Sequence, residues 1–326
     1  MQYHLFQTNK ILRDIINKQI SLRKAKAIGF VICSEATLNL IKNNNLPKGN
    51  LFDVARAAGF LAAKNTQHLI PHCHPVSIDG LSIEFEMISP SHHSEYLSAN
   101  NKYGVLIIVE GKSIGRTGIE MEALTAVSIC GLTIYDLLKP LKDAELEISS
   151  IRLIQKSGGK TDKLKFVKNR QKAAILVCSD STFAGKREDT SGKMIQEMLS
   201  NYNTEVLDYK ILPDEPEQIK KQILEWVAQD VPFIFTTGGT GLGPRDKTVE
   251  AVKSIIDRDA DGISEAMRTY GQMRTPLAMM SRSVAGSINH TLIVTLPGSS
   301  NGVRESLEAI LPAVFHARSM LKGGDH

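Results

Sequence analysis

A short stretch of small and basic residues near the middle of the chain most constrains its fold, because it separates two regions of different hydrophobic periodicity. Ser157-Gly158-Gly159-Lys160 opens this stretch, and residues 163–171 continue it without an acidic side chain. A chain of 326 residues is long for one domain and comfortable for two. We therefore predict two domains, residues 1–162 and 172–326, joined by a basic linker at residues 163–171.

The second half alternates between strand and helix patterns. Such alternation predicts an α/β domain, with a mostly parallel sheet that is covered by helices on both faces. Ligands of these sheets bind beyond the carboxyl ends of the strands. The predicted strands are Ala173–Val177, Thr204–Ile211, Val231–Thr236 and Thr291–Leu296, and the predicted helices are Ser191–Leu199, Pro216–Val227 and Val303–Leu321.

The first half mixes strands and helices without strict alternation. The pattern predicts helices at Val54–Ala63 and Gly118–Lys139, the second of them long, buried and ended by Pro140. Strands are predicted at Ser82–Glu86 and Gly104–Val109. This arrangement is typical of an α+β domain, in which helices pack on an antiparallel sheet.

Composition excludes several classes of protein. Hydrophobic residues make up 42% of the chain and charged residues 23%, as in an ordinary soluble globular protein. No uninterrupted apolar run approaches the roughly 20 residues of a membrane span, and the first ten residues lack the apolar core of a secretory signal. The four cysteines are scattered without a C-x-x-C pair, which argues against a disulfide framework or a cysteine zinc site. We expect a cytoplasmic protein without a membrane partner.

The net charge of +4 is concentrated in the linker, where residues 163–172 contain five basic and no acidic side chains. A nucleic-acid-binding protein usually has a larger basic face or basic residues interleaved with aromatic ones. We therefore expect no nucleic-acid partner, although a scaffold associated with nucleic acid is the alternative from the interaction class.

Acidic and basic residues mark both ends of the long predicted helix. Asp136 and Lys139 share one helix face and could exchange protons, or form a simple exposed ion pair. Glu120 and Glu122 open the same helix, where acidic residues also suit the helix dipole. Fourteen residues of helix separate Glu122 from Asp136 by about 21 Å. These groups therefore serve different sites, or one site shared between subunits.

The segment Pro71-His72-Cys73-His74-Pro75 carries a dense cluster of reactive side chains. Its prolines favour an extended path, in which His72 and His74 point to the same side. The two histidines could begin a metal site without an evident third ligand, or they could bind a phosphate or the base of a nucleotide. Lys48 and Lys156 lie near glycines, where mobile cations suit a polyphosphate and ordinary loop lysines are also common.

Six blocks over about residues 12–162 together resemble, in order and spacing, the cyclic pyranopterin monophosphate synthase family (MoaC). The blocks are Lys48-Gly49, Ala55-Arg56-x-Ala58-Gly59, Leu69-Ile70-Pro71-x-Cys73-His74-Pro75, Thr117-Gly118-Ile119-Glu120-Met121-Glu122-Ala123-Leu124, Ile134-Tyr135-Asp136 and Lys156-Ser157-Gly158-Gly159-Lys160. Two positions depart from the family pattern: Asn50 replaces an aspartate, and Asp14-Ile15-Ile16 stands where Asp-Val-Ser is usual.

This resemblance implies conversion of 3′,8-cyclo-7,8-dihydroguanosine triphosphate to cyclic pyranopterin monophosphate and diphosphate, without a cofactor. It also implies a hexamer with sites at dimer interfaces. Asp136 and Lys139 would form the acid/base pair. By the same resemblance, the residues that hold and activate the substrate would be Lys48, His74 and Lys156, and Cys73, Glu120 and Glu122 would line the site.

A glycine-rich turn, Thr237–Asp246, follows the predicted strand Val231–Thr236. Its backbone amides could approach a phosphate, although the spacing fits neither the P-loop nor the dinucleotide fingerprint and a tight turn is equally possible. Asp214 and Asp246 lie at strand ends, and two carboxylates there suit Mg²⁺ carrying a nucleotide. Asp214 could instead cap the helix that begins at Pro216.

Six blocks over about residues 172–322 resemble the molybdopterin-binding MogA/MoaB family. The family is α/β and trimeric, and its active members use MgATP to adenylylate molybdopterin. A trimer and a hexamer share a threefold axis, so we expect a homo-oligomer. The blocks are Cys178-Ser179-Asp180-Ser181, Asp189-x-Ser191-Gly192, Leu212-Pro213-Asp214-Glu215, Thr236-Thr237-Gly238-Gly239-Thr240-Gly241, Arg245-Asp246 and Leu296-Pro297-Gly298-Ser299.

This second resemblance implies that Asp214 and Asp246 hold Mg²⁺ and assist nucleotidyl transfer from ATP. Active members keep these aspartates and Arg245, which favours an adenylyltransferase over the alternative of a non-catalytic molybdopterin-binding domain. A general nucleotide-binding α/β protein would leave the first half unexplained. The remaining implied substrate-binding residues are Gly238, Gly239, Thr240, Gly241, Ser299, Asp180 and Arg245.

Overall fold

The computed structural model describes residues 12–46, 49–90, 94–96, 102–159 and 169–324. The chain divides into two compact units, residues 1–159 and residues 160–326. Each unit has its own sheet and its own hydrophobic core.

The first unit is an α+β fold around a four-stranded antiparallel sheet with the order β2-β3-β1-β4. This confirms the predicted fold class. The strands are β1 (Ser21–Cys33), β2 (Gly80–Ile88), β3 (Tyr103–Gly115) and β4 (Glu147–Ser157); the helices are α1 (Glu35–Lys42), α2 (Leu51–Lys64), α3 (Thr66–Leu69) and α4 (Glu120–Leu138), and a 3₁₀ turn at Lys139–Leu141 follows α4.

The central strand β1 is buried on both faces. Ala27 and Val31 face the core that contains α4, whereas Ile28 and Phe30 belong to a smaller apolar cluster on the other side of the sheet. The sequence pattern did not predict β1 or β4. The glycines after Lys156 suggested a flexible segment, but Lys156 lies in β4 and its backbone pairs with β1.

Helix α4 with its 3₁₀ extension, Glu120–Leu141, is long and apolar enough to cross a membrane by length and composition. Its buried residues, which include Ala126, Val127, Cys130 and Ile134, pack in the core of the first unit. Its apolar sequence is thus explained by packing against α2 and the sheet.

The second unit is an α/β fold around a six-stranded sheet with the order β6-β5-β7-β10-β9-β8. The pairs β5–β6, β5–β7 and β7–β10 are parallel, and β8–β9 and β9–β10 are antiparallel, which confirms the mostly parallel sheet. The strands are β5 (Gln171–Cys178), β6 (Thr204–Leu212), β7 (Phe233–Thr237), β8 (Arg258–Asp259), β9 (Ala285–Ile288) and β10 (Thr291–Leu296).

Helices cover both faces of this sheet. Alternate residues of β5 enter separate cores, with Ile175 and Val177 on one side and Leu176 and Cys178 on the other. The helices are α5 (Asp180–Phe183), α6 (Ser191–Ser200), α7 (Pro216–Ala228), α8 (Thr248–Lys253), α9 (Asp261–Gln272), α10 (Ser300–Ile310) and α11 (Ala317–Leu321), with 3₁₀ helices at Pro276–Met280 and Ala313–His316.

The single closing helix predicted at Val303–Leu321 is wrong. The structure ends α10 at Ile310, continues with a 3₁₀ helix and begins α11 only at Ala317. Pro312 explains the break, because proline has no amide hydrogen and disfavours helical geometry in the preceding residue. That residue, Leu311, has the extended angles φ −80° and ψ 144°.

The only tryptophan of the chain, Trp226, is buried in the second unit and can report its unfolding by fluorescence. We expect Ile223→Ala, which removes a buried side chain from the same core, to lower the unfolding free energy of this unit by about 2–5 kcal/mol. The matched control is Leu224→Ala, since Leu224 is 44% exposed. If urea titrations showed the same loss of unfolding free energy in both variants, the packing described above would be contradicted.

Candidate active sites

One cluster in the first unit lies at the start of α4. Glu120 is in the first turn of this helix, and its Oε1 lies 3.7 Å from Nζ of Lys156 on β4. The lysine side chain is 62% exposed, so this ion pair is open to solvent and to an incoming ligand. The strand and the helix therefore bring together two residues that the sequence analysis selected separately.

Glu122, two residues further along α4, is buried with only 3% of its surface exposed. Among the described residues, nothing donates a hydrogen bond to its Oε2. Burial raises the pKa of this carboxyl group. The pKa of Cys73 is also raised, first by burial and then by the nearby charge of Glu122, which places the predicted Pro71–Pro75 segment beside the start of α4. His74 is half-buried in that segment.

A second cluster lies at the opposite end of the same helix. Nζ of Lys139 is 2.6 Å from Oδ1 of Asp136, and both side chains are more than half exposed. The hydrogen bond to Asp136, and then its charge, raise the pKa of Lys139. Because α4 is a continuous helix, about 21 Å separates this pair from Glu122. Within one chain, the predicted residues thus form two clusters rather than one site.

Two residues noted in the sequence, Lys48 and Asn50, precede α2 in the chain. Lys48 lies outside the described residues. Asn50 is the N-cap of α2, and its side chain accepts a hydrogen bond from the backbone N–H of Asp53 at 3.2 Å. Asparagine and aspartate cap helices about equally well. Asn50 therefore caps α2 as well as the aspartate that is usual in the family would.

The sequence analysis missed Arg23, which is 7% exposed on β1. Its guanidinium donates hydrogen bonds to the carbonyl oxygens of Gln19, Gly115 and Arg116, at 3.1–3.3 Å. Burial lowers its pKa, and the charge of Glu120 opposes that shift. Arg23 thus holds the connection that leads into α4. The contacts could not be inferred without the pairing of β1 with β3.

In the second unit, two glycines form a sharp turn directly after β7. Gly238 and Gly239 have φ angles of +94° and +62°, in the region that L side chains rarely adopt. A Cβ atom on Gly238 would lie 2.0 Å from the carbonyl oxygen of Cys178, and one on Gly239 would lie 2.1 Å from Oγ1 of Thr248. Only glycine fits at either position, so the loop backbone can approach the ends of the strands.

The glycine-rich loop, Thr237–Asp246, has free hydrogen-bond donors. Within the described part of the chain, no acceptor pairs with the backbone amides of Gly239, Thr240 or Gly241. At the far end of the loop, Oδ2 of Asp246 accepts a hydrogen bond of 2.8 Å from the amide of Gly243. Unpaired successive amides after left-handed residues are suited to bind an anion such as a phosphate.

Asp180 and Asp214, at the ends of β5 and β6, hold each other through reciprocal hydrogen bonds. Oδ2 of Asp214 accepts from the amide of Asp180 at 3.1 Å, and Oδ1 of Asp180 accepts from the amide of Asp214 at 3.0 Å. Oδ1 of Asp214 is buried, and no described residue donates to it. Burial raises the pKa of Asp214, and the charges of Asp180 and Asp246 add to the increase.

The residues around Asp214 fit a nucleotide-bound Mg²⁺. An unpaired carboxylate oxygen near a second aspartate, Asp246, is the hard oxygen ligand that Mg²⁺ prefers. No group of three or more His, Cys, Asp or Glu residues in the described ranges could hold a metal by itself. The ion would therefore need further oxygen ligands from a phosphate chain or from water.

Arg245, which the sequence analysis selected for substrate binding, is paired in this structure. Its guanidinium donates to both carboxylate oxygens of Asp180 and lies 2.9 Å from Oε1 of Glu215. Hydrogen bonds to Glu215 and Asp180 raise its pKa. A substrate phosphate would have to compete with these carboxylates for Arg245, or bind beside them.

Ser299 caps helix α10, because its Oγ accepts a hydrogen bond of 3.2 Å from the amide of Gly302. It also borders a cavity of about 350 Å³ that the sequence analysis missed, since the lining comes from several separate segments. The loop before α10 touches the glycine-rich loop, where Oγ1 of Thr237 donates to the Pro297 carbonyl at 2.6 Å. Other residues that line the cavity include Met267, Arg268, Leu277, Ser283, Asn301 and Ser306.

Comparisons with known proteins match both halves of the chain and its full length. Residues 12–159 match the MoaC family, and residues 174–316 match the probable molybdopterin binding domain. The chain is 38% identical, over 328 residues and 100% of both chains, to the molybdenum cofactor biosynthesis bifunctional protein of Chlorobaculum tepidum. These findings confirm both resemblances that the sequence motifs indicated.

Each half also has a separate relative. Cyclic pyranopterin monophosphate synthase of Clostridium perfringens is 43% identical over 158 residues, which cover 48% of this chain and 92% of that one. The second half matches the crystal structure of the molybdopterin biosynthesis enzyme MoaB from Thermus thermophilus with 46% sequence identity and a TM-score of 0.45. The match covers 47% of this chain and 97% of the MoaB chain.

The half-buried carboxylate of Asp214 leads to a pH-dependent effect on stability. Since its folded-state pKa is raised, ionisation costs more in the folded than in the unfolded state. We expect Asp214→Asn to raise the midpoint of thermal unfolding of the second unit by a few degrees at neutral pH. Trp226 fluorescence measures this midpoint. The gain should vanish below about pH 4, where aspartate is protonated in the unfolded chain as well.

The control for this experiment is Asp261→Asn, at an exposed position in the first turn of α9. It should leave the midpoint nearly unchanged at both pH values. A lower midpoint for Asp214→Asn at neutral pH would contradict the inference that its charge is poorly compensated.

Proposed function

The chain belongs to the family of molybdenum cofactor biosynthesis bifunctional proteins, and on that premise we propose that both of its units are enzymes of this pathway. The first unit converts 3′,8-cyclo-7,8-dihydroguanosine triphosphate to cyclic pyranopterin monophosphate and diphosphate. The second unit adenylylates molybdopterin with MgATP. The observation that carries the second activity is the buried, unpaired oxygen of Asp214 beside a loop with free amides.

In the first unit, Asp136 and Lys139 move protons. The carboxylate and the ammonium group are 2.6 Å apart, close enough for direct proton exchange. The hydrogen bond to Asp136 raises the pKa of Lys139 and so favours the ammonium form in the free enzyme. Lys139 would donate its proton as the general acid once the substrate separates it from Asp136, and Asp136 would accept a proton from the substrate. Their exposure leaves room for a substrate to contact both groups.

The cluster at the other end of α4 binds the substrate in the same proposal. Lys156, with Lys48 in the role that the family resemblance implies, neutralises the triphosphate. A hydroxyl oxygen of the substrate bonds to the α-phosphorus and closes the cyclic phosphate, while the bond from this phosphorus to the diphosphate breaks and the lysines stabilise the leaving diphosphate. Glu122 has a buried oxygen that needs a donor, which an amino or hydroxyl group of the substrate can provide. Cys73 and His74 border this position.

Because α4 holds the two clusters about 21 Å apart, we propose that each site combines one cluster from each of two subunits. An oligomer with threefold symmetry, either a trimer or a hexamer, accommodates this arrangement for the whole chain. Fusion then keeps the two activities in one assembly. Their reactions are not consecutive, since sulfur must be inserted into the pterin between them.

In the second unit, the glycine-rich loop and Ser299 bind the phosphate of molybdopterin. A phosphate oxygen of this substrate attacks the α-phosphorus of ATP, and the bond to the β-phosphate breaks with release of diphosphate. Asp214 and Asp246 would hold the Mg²⁺, which when bound neutralises charge on the phosphate chain. Asp180 orients Asp214 through the reciprocal hydrogen bonds, and Arg245 lies beside the entering phosphates.

The cytoplasm is the compartment that fits these activities. The described structure has all four cysteines as free thiols, as expected of a reducing environment. We propose no nucleic-acid or membrane partner, because the substrates named above account for the candidate sites in both units.

The synthase activity can be tested together with the shared site. We expect Asp136→Asn to slow formation of cyclic pyranopterin monophosphate by about 10²–10⁴-fold, the range for loss of an acid/base group. Glu122→Gln should be strongly impaired as well. Oligomers that contain both variants should regain activity. At some of their interfaces, the intact Asp136 cluster of one subunit meets the intact Glu122 cluster of the other.

Lys193→Met is the matched control, because it removes an exposed ion pair with Glu188 at 2.7 Å in the second unit. It should leave synthase activity unchanged. Mixed oligomers as inactive as either variant alone would show that the two clusters do not cooperate across subunits.

The adenylyltransferase activity is tested by incubating purified protein with molybdopterin and MgATP and measuring adenylylated product. We expect Asp246→Asn to lower the rate by about 10²–10³-fold, as for loss of electrostatic stabilisation of a transition state. Asp261→Asn, an exposed change in the same unit, should retain the rate. Tight binding of molybdopterin by the wild type without any product would instead identify a synthase fused to a binding module.

A further inference from the structure

Arg282 contacts the glycine-rich loop from a distant part of the chain, between the 3₁₀ helix Pro276–Met280 and β9. Its backbone amide donates to the carbonyl oxygen of Thr240 at 3.0 Å. Its side chain donates from Nε to the Gly241 carbonyl at 2.6 Å and from Nη2 to the Asp246 carbonyl at 2.8 Å. One residue thus connects the middle of the loop with its end at Asp246.

The remaining guanidinium nitrogen anchors Arg282 to the helix that follows the loop. Nη1 forms an ion pair with Glu250 of α8, and the arginine side chain is only 30% exposed. A planar guanidinium can serve these three acceptors at fixed angles, whereas a lysine ammonium has neither the reach nor the fork geometry. The contacts therefore depend on arginine rather than on a positive charge alone.

These contacts set the polarity of the loop surface. Arg282 occupies the carbonyl oxygens of Thr240, Gly241 and Asp246, which could otherwise face a ligand as acceptors. The amides of Gly239, Thr240 and Gly241 have no acceptor within the described residues. The loop thus offers donors, which attract an anion, and keeps its acceptors away from it.

The same contacts fix Asp246. Its backbone carbonyl is held by Arg282, and its carboxylate accepts from the Gly243 amide within the loop. We infer that Arg282 is a positioning residue for adenylyl transfer: it orients the loop amides toward the phosphate of molybdopterin and holds Asp246 in place for the reaction. This inference rests on the proposed function of the second unit.

The test compares Arg282→Lys and Arg282→Ala with Arg258→Lys, a control at an exposed arginine on β8. In the full-length protein, kcat for adenylylation should fall about 100-fold in both Arg282 variants, the effect of a misplacement of about 1 Å. KM for molybdopterin should rise, and KM for MgATP should rise as well, because Arg282 also holds Asp246, one of the two proposed Mg²⁺ ligands. If Arg282 only stabilised the fold, a smaller fraction of the variant protein would be active, but both KM values would be unchanged.

Amide hydrogen exchange gives a readout that does not require the reaction. The amides of Gly243 and Asp246 are hydrogen-bonded within the loop, so peptides that cover residues 243–246 should exchange severalfold faster in Arg282→Lys, while those from β5 and β10 stay protected. Trp226 fluorescence checks that the unit is folded. Normal kcat and unchanged loop exchange in Arg282→Lys would overturn the inference. If the wild type forms no product, the proposed function fails. Hydrogen exchange of the loop and the affinity for inorganic pyrophosphate, compared between wild type and Arg282→Lys, then still decide whether Arg282 positions the loop.

Discussion

A carboxylate oxygen that is buried without a hydrogen-bond donor is the constraint on which both candidate sites depend. Oε2 of Glu122 and Oδ1 of Asp214 are in this state within the described structure. Desolvation of such a group is unfavourable unless a donor or a cation compensates it. Each site is therefore electrostatically incomplete without its ligand. The surrounding structure, α4 in one unit and the joined ends of β5 and β6 in the other, keeps these oxygens from relaxing toward solvent.

Much of the second unit could be predicted from sequence because its signals are local. Alternating strands and helices indicated the fold class, and the positions of Asp214 after β6 and of Asp246 in the loop after β7 indicated the same edge of the sheet for both, with β5 between the two strands. The error at the closing helix arose because amphipathic periodicity outweighed Pro312. The contacts of Arg282 were beyond such reasoning, since 36 residues separate it from Asp246 and nothing in the local pattern distinguishes it from other arginines.

The first unit was less predictable because its sheet depends on long-range antiparallel pairing. The start of β1 alternates lysine with alanine, which is a weak strand signal, yet Ala25 and Ala27 are buried by the pairing with β3. Lys156 resembled a loop lysine because glycines follow it. The helix itself was evident from its length and apolar character, so the separation between Glu122 and Asp136 could be estimated from the sequence alone.

Helix α4 also fixes the spacing between the two clusters that we propose to combine across subunits. Its 19 residues form one unbroken rod, so the distance and the angular phase between its ends are fixed by helical geometry. One inserted residue would shift the ends by about 1.5 Å and rotate one relative to the other by about 100°. Surface substitutions along the helix preserve this phase, whereas any change in its residue count would misalign the two clusters even if every side chain in them were kept.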